Sequence, residues 1–258
     1  MCTVRMMWIA CLLVMCAAAG AAELAAQAAQ EKSQAQLDWE AKLGPSQVGQ
    51  PGFEFVVEDP SLPRVLLIGD SISIGYTTAT RALLQGKANV LRIPANGGPT
   101  SRGLEFLGQW LGTGKWDVIH FNWGLHDLKR LKDGKMDIAA QWQVSEEQYA
   151  KNLETLVQQL KATGARLIWA STTPVPEGAN GRMIGDEVKT NAIAEGIMKK
   201  HGIPIDDLYG YVFPVLSQNQ RPRDVHFTEE GSAFLAKAVA ASITEALEAP
   251  VWPPAAPK

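Results

Sequence analysis

From Arg64 to the C-terminal region, short apolar runs alternate with longer amphipathic segments. The spacing predicts strands over 65–69, 88–93, 117–122, 165–172 and 203–205. Between and after them it predicts helices over about 74–85, 102–111, 146–162, 186–200 and 228–247. Ser145 ahead of "EEQ" and Thr228 ahead of "EEG" are helix caps, and "HGIP" is a stop. Strands that alternate with helices need crossover connections, so they pair in parallel and are covered on both faces. The expected architecture is a three-layer α/β/α sandwich, with its function at the carboxyl ends of the strands.

The flanks read differently. "MCTVRMMWIACLLVMCAAAG" places Arg5 before an apolar run from Met6 to about Ala19 and ends in small residues, the layout of a secretory signal over residues 1–22. An export destination, periplasmic or secreted, follows. The run is shorter than the roughly 20 residues of a membrane span, so stable insertion is not expected after cleavage. An uncleaved anchor and a lipidated Cys11 or Cys16 are the alternatives. Cys2, Cys11 and Cys16 all fall in this segment, so the exported product holds no disulfide, cysteine nucleophile or thiolate metal site. Residues 23–60, rich in Ala and Gln and then in Pro and Gly, read as a leader or linker with at most one strand in "FEFVV". The folded unit starts near Phe53, the domain proper spans 61–250, and 251–258 is a Pro-rich tail. With 24 Lys+Arg facing 27 Asp+Glu and no long single-sign block, nucleic acid is excluded as a partner.

Three strand ends carry unusual residues. "VLLIGDSISIGY" ends a buried strand in Gly-Asp-Ser, which is either an ordinary turn or a device that presents Ser71 at the sheet's edge. "NGGPTSRG" brings Gly97 and Gly98 to the second strand end, where backbone amides can approach a bound atom. "IHFNWGLHD" sets Gly124, His126 and Asp127 past the third. Far downstream, "RDVHFTEEG" puts Asp224 and His226 just before the last helix. A serine hydroxyl alone is a poor nucleophile, and a histidine base with an orienting carboxylate is what activates it.

Over residues 64–247 this order of blocks resembles the SGNH hydrolase family, also called GDSL hydrolases, in "GDSIS", "NGGPTSRG", "GLHD" and "DVHFT". The resemblance implies a flavodoxin-like parallel sheet, Ser71 as nucleophile and His226 as base. It also implies an oxyanion hole of the Ser71 amide, Gly98 and the third-block side chain. Two positions depart from the family pattern. His126 stands where the family has asparagine, and a neutral imidazole still offers one N–H. Arg223 stands where the orienting carboxylate usually lies, three residues before the histidine. Asp224, two before, reaches the ring if the segment is extended; otherwise a dyad remains, its ring held by a backbone carbonyl.

Asp70 and Asp127 read as supporting residues. Trp123 and Trp142 suit stacking on a sugar or core packing. Arg102, Lys129, Arg130, Arg221 and Arg223 suit either an anionic or hydroxylated substrate or a solvated rim. His120 reads as a core residue, and His201 as a helix C-terminal imidazole. His120, His126 and Asp127 match no metal-ligand spacing, so no metal or cofactor is expected. The expected activity is an exported serine esterase that removes a small acyl group, acetyl foremost, from a small-molecule or glycan ester. Lipid esterase, lysophospholipase, thioesterase and acyltransferase are alternatives, as is a catalytically lapsed carbohydrate-binding protein.

Overall fold

The computed structural model describes residues 32–250. The expected signal and Pro-rich tail lie outside them. The chain divides into two compact units, with the boundary in sequence between Leu43 and Gly44. The first unit's described part holds helix α1 (Gln34–Glu40), capped by the Ser33 hydroxyl.

The second unit is built on five parallel strands: β1 (Arg64–Ile68), β2 (Asn89–Arg92), β3 (Val118–Phe121), β6 (Arg166–Ala170) and β7 (Ile205–Asp206). Their order is β2-β1-β3-β6-β7. The register sets Val65 beside Val90 on one side and Val118 on the other. Alternate residues of each strand feed opposite cores. Val65, Leu67, Val118 and Ile168 face α2 (Ser71–Leu83) and α8 (Glu229–Glu248). Leu66, Ile68, Ile119, Phe121 and Trp169 face α3 (Thr100–Leu111), α4 (Glu146–Ala162) and α5 (Asp186–His201). Both faces of the sheet are therefore dry, as parallel sheets require. β1 connects to β2 through α2 on one face, and β2 crosses back over β1 to β3 through α3 on the other. The switch point between them opens a crevice at the carboxyl edge.

The expected elements are present with small shifts of boundary. Four features differ. α2 begins at Ser71 itself, because the Asp70 carboxylate accepts from the Ile72 amide and starts the helix earlier than the apolar period suggests. "FEFVV" forms no strand. Pro51–Phe53 is a single 3₁₀ turn that buries Phe53, while Phe55 and Val56 are half-buried and Val57 is 84% exposed. An antiparallel hairpin, β4 (Leu131–Lys132) with β5 (Lys135–Met136), turns through Asp133-Gly134, both at positive φ. Two short helices, α6 (Leu208–Val212) and α7 (Leu216–Asn219), fill the path from β7 to α8.

Candidate active site

Four connections converge at the carboxyl edge. β1 delivers Asp70 and Ser71, β2 delivers Asn96 and Gly98, β3 delivers His126 and Asp127, and the approach to α8 delivers Asp224 and His226. Ser71 Oγ lies 2.8 Å from His226 Nε2. His226 Nδ1 lies 2.7 Å from Asp224 Oδ1. The same carboxylate oxygen accepts from the His226 amide at 3.2 Å, so one aspartate fixes both ring and backbone. An imidazole whose Nδ1–H is held by a carboxylate has its Nε2 lone pair free to accept the serine proton. Partial burial works against the Asp224 anion, yet the His226 hydrogen bonds prevail and hold its pKa below the usual value.

Ser71 is the first residue of α2, and its amide is one of the helix's initial donors, which have no carbonyl partner within the helix. A negative charge at that position also meets the favourable end of the helix dipole. The Gly98 amide is differently placed. It donates to Asn96 Oδ1 at 2.9 Å, with Gly98 at φ 61°. The asparagine carbonyl thus occupies the position an oxyanion would take at this amide.

His126 supplies a ring at the same edge. Lys129 Nζ lies 3.4 Å from His126 Nδ1. An ammonium only donates, so Nδ1 is the acceptor and Nε2 carries the hydrogen. Burial, opposed by Asp70 and reinforced by Lys129, Arg182 and His226, pulls the His126 pKa down to about 4, so the ring is neutral near pH 7. Asp127 sits beneath. Its Oδ1 accepts from the Thr100 amide (2.8 Å) and hydroxyl, tying the β3 loop to the start of α3 and to the turn that carries Gly98. Burial outweighs those bonds and pushes its carboxyl up to about 7.

Several sequence candidates lie elsewhere. Trp123 does not reach substrate: it is 1% exposed, because the strand's alternation puts it with Ile119 and Phe121 in the core under α3 and α4. Arg102 is exposed, its guanidinium 5.0 Å over the Phe106 ring, and lines neither cavity at Ser71. Arg130 and Trp142 both bond to the buried Asp186, bracing the long loop rather than the site. His120 is buried with Nε2 2.9 Å from Asp206 Oδ2. His201, at the end of α5, pairs with Glu154 at 2.7 Å. Among the described residues no group of three His, Cys, Asp or Glu is placed to hold a metal ion. None of their helices is long and apolar enough to cross a membrane. Asn96 and Arg182 border the site without having been singled out from sequence; each lies in a loop whose polar residues carry no period.

A parallel α/β sandwich with a Ser–His–Asp hydrogen-bonded chain over its switch point has the architecture of a serine hydrolase. The chain belongs to the GDSL-like lipase/acylhydrolase family, whose model matches residues 67–234. It is thereby placed among ester-hydrolysing enzymes. No curated protein sequence matches it significantly. Among solved structures, an acetyl xylan esterase, AlAXEase, superposes with a TM-score of 0.58 at 15% identity, covering 70% of this chain and 99% of that one. An acetylxylan esterase from Geobacillus stearothermophilus gives 0.58 at 19%, covering 70% and 94%. A lipase/acylhydrolase from Enterococcus faecalis gives 0.57 at 18%, covering 70% and 95%. At such identities the likeness establishes the fold.

Proposed function

We propose that this protein is an exported serine esterase that removes a small acyl group, acetyl foremost, from a carbohydrate. The observation that carries the reading is the continuous chain from Ser71 through His226 to Asp224, with its two links of 2.8 and 2.7 Å. It opens on a cavity of about 690 Å³ that Ser46, Gln47, Gln50, Thr78 and Ser232 line with neutral polar groups suited to hydroxyls. Two structural neighbours described as acetylxylan esterases support the choice of acyl group and sugar. Export rests on Arg5, the apolar run after it and the alanines beyond.

In this mechanism His226 Nε2 takes the Ser71 proton as Oγ attacks the ester carbonyl. The tetrahedral oxyanion is held by the Ser71 amide and His126 Nε2–H. The Gly98 amide joins them once Asn96 Oδ1 gives way. His226 then passes its proton to the departing sugar oxygen, leaving an acyl-serine. Water, deprotonated by His226, cleaves that ester and restores Ser71.

Release of p-nitrophenol from its acetate, and of acetate from acetylated polysaccharides, tests the reading. Ser71→Ala and His226→Ala are each expected to lower kcat at least about a thousandfold with the fold intact, and a chelator to change nothing. Appreciable turnover in Ser71→Ala, or loss of activity with a chelator, overturns it. A wild-type protein that binds glycans without turnover points to the lapsed, purely binding form.

A further inference from the structure

We propose that the cavity on the His126 side of Ser71 is an anion subsite, and that the ester is carried by a sugar bearing a carboxylate or sulfate group. This rests on the esterase reading above and names its substrate class. The cavity, of about 600 Å³, is lined by Lys129, Arg182 and Arg223 together with Ser71, His126 and His226. None of the three cations forms an ion pair among the described residues. One carboxylate, Asp224, shares the cavity and with Asp70 attracts Arg182, but their hydrogen bonds go elsewhere: Asp224 to His226, and Asp70 to the Ile72 amide.

Each cation is held in place, Lys129 and Arg182 by polar partners and the exposed Arg223 by its backbone. Arg182 Nε donates to the Leu125 carbonyl at 2.8 Å, which fixes the plane of its guanidinium beside the loop that carries His126. Lys129 is held against the His126 ring. Arg223 is one of two non-glycine residues at positive φ among the described residues, at 59°. Its side chain runs over Gly178, where an added Cβ would come 2.9 Å from Arg223 Nε. A strained backbone and a glycine that makes room both serve to aim this side chain. At Lys129 the repulsion by Arg182 outweighs the attraction of Asp70, so the cavity keeps cationic charge that no ion pair takes up. An anionic ligand resolves that repulsion, and guanidinium forks match the paired oxygens of a carboxylate or sulfate. On the other side of Ser71 the charged lining residues are one of each sign, Arg221 and Glu229, so the asymmetry fixes which way an anionic substrate lies.

The test compares kcat/KM on O-acetylated galacturonate and O-acetylated sulfated galactose oligosaccharides with that on an acetylated xylo-oligosaccharide of equal length. One anionic substrate should exceed the neutral one by about tenfold or more. Arg223→Gln and Arg182→Gln should each erase most of that ratio through KM, and high salt should do the same to the parent. Preference for the galacturonate assigns a carboxylate, and preference for the galactan assigns a sulfate. Equal hydrolysis of all three, indifferent to salt and to Arg223→Gln, overturns the subsite while leaving the esterase intact. If no ester is cleaved the function reading fails, and calorimetric titration of Ser71→Ala with the unacetylated oligosaccharides decides the subsite alone. Binding that weakens about tenfold in a Ser71→Ala/Arg223→Gln double variant sustains it, and absence of binding overturns it. Arg223 is exposed, so its variant remains informative if Arg182→Gln fails to fold.

Discussion

His126 stands 126 residues into the chain at a position where the family pattern has asparagine, and its geometry makes the exchange chemically intelligible. Lys129 fixes the tautomer, burial fixes the charge, and the result is one N–H directed from a neutral ring. Loss of a single oxyanion donor costs roughly 10² to 10³ in kcat with little change in KM, so that is the outcome expected for His126→Ala. His126→Asn restores an N–H donor and should recover a substantial part. An Asn variant as inactive as the Ala variant would mean that His126 moves protons instead. Asp224→Asn should cost about a hundredfold or more, since the ring's orientation and tautomer both depend on that carboxylate. Activity within about threefold of the parent would show that something else holds the ring. The two-residue spacing suggests that Asp224 reaches His226 along an extended segment, whereas the chain bends there and the pair meets across a turn in which the Asp224 carboxylate accepts from both the His226 amide and its ring. Arg182 was not legible in the sequence, since a cation in the loop Asn180-Gly181-Arg182-Met183 has no periodic pattern to give it away.

At the scale of elements, Asp127 joins two loops, and its charge makes that junction sensitive to pH. Its folded pKa of about 7 lies above the ordinary 3.8, so between about pH 4 and 7 the folded state binds more protons than the unfolded one. Its contribution to stability is therefore full at acid pH and is lost as pH rises through 7. Neutral His126 has the opposite sign: its pKa of about 4 lies below 6.5, so stability falls as pH drops from 6.5 toward 4. The two oppose each other below pH 6.5, and only a difference measurement separates them. Asp127→Asn keeps an acceptor for Thr100 and removes the buried charge. Relative to the parent it should gain stability as pH is raised from 5 to 8, by an amount of order 1 to 4 kcal/mol at about 1.4 kcal/mol per unit. Urea unfolding at the two values reads this out, and parallel losses in both proteins would remove Asp127 from the account. Helices and central strands were legible in the sequence because each buries a continuous stripe or both faces. The start of α2 at Ser71 was displaced because one capping side chain, not the apolar period, sets it.

For the whole molecule, the part least legible in the sequence is the approach to β1. Pro and Gly made it read as a linker, yet Phe53 is 2% exposed and lies 4.3 Å beneath the guanidinium of Arg92, itself 2% exposed. Arg92 Nη1 donates to the carbonyls of Ile93 and Ala95, both at 3.2 Å, just before Asn96 and Gly98. One aromatic ring thus seals a buried cation that in turn braces the loop of the second block. Hydropathy shows a short apolar run here, "FEFVV", and cannot show that Phe53 is the residue that is buried or what lies above it. Phe53→Ala should cost about 3 to 5 kcal/mol, because it leaves a cavity and strips cover from a charge that has few partners. The loosened loop should lower kcat more than it raises KM. Val57→Ala, four residues on and 84% exposed, should stay within about 0.5 kcal/mol and supplies the control. Denaturant midpoints of the two variants decide the matter. If Phe53→Ala costs under about 1 kcal/mol, the segment is the linker that its composition suggests, and the Arg92 loop stands without it.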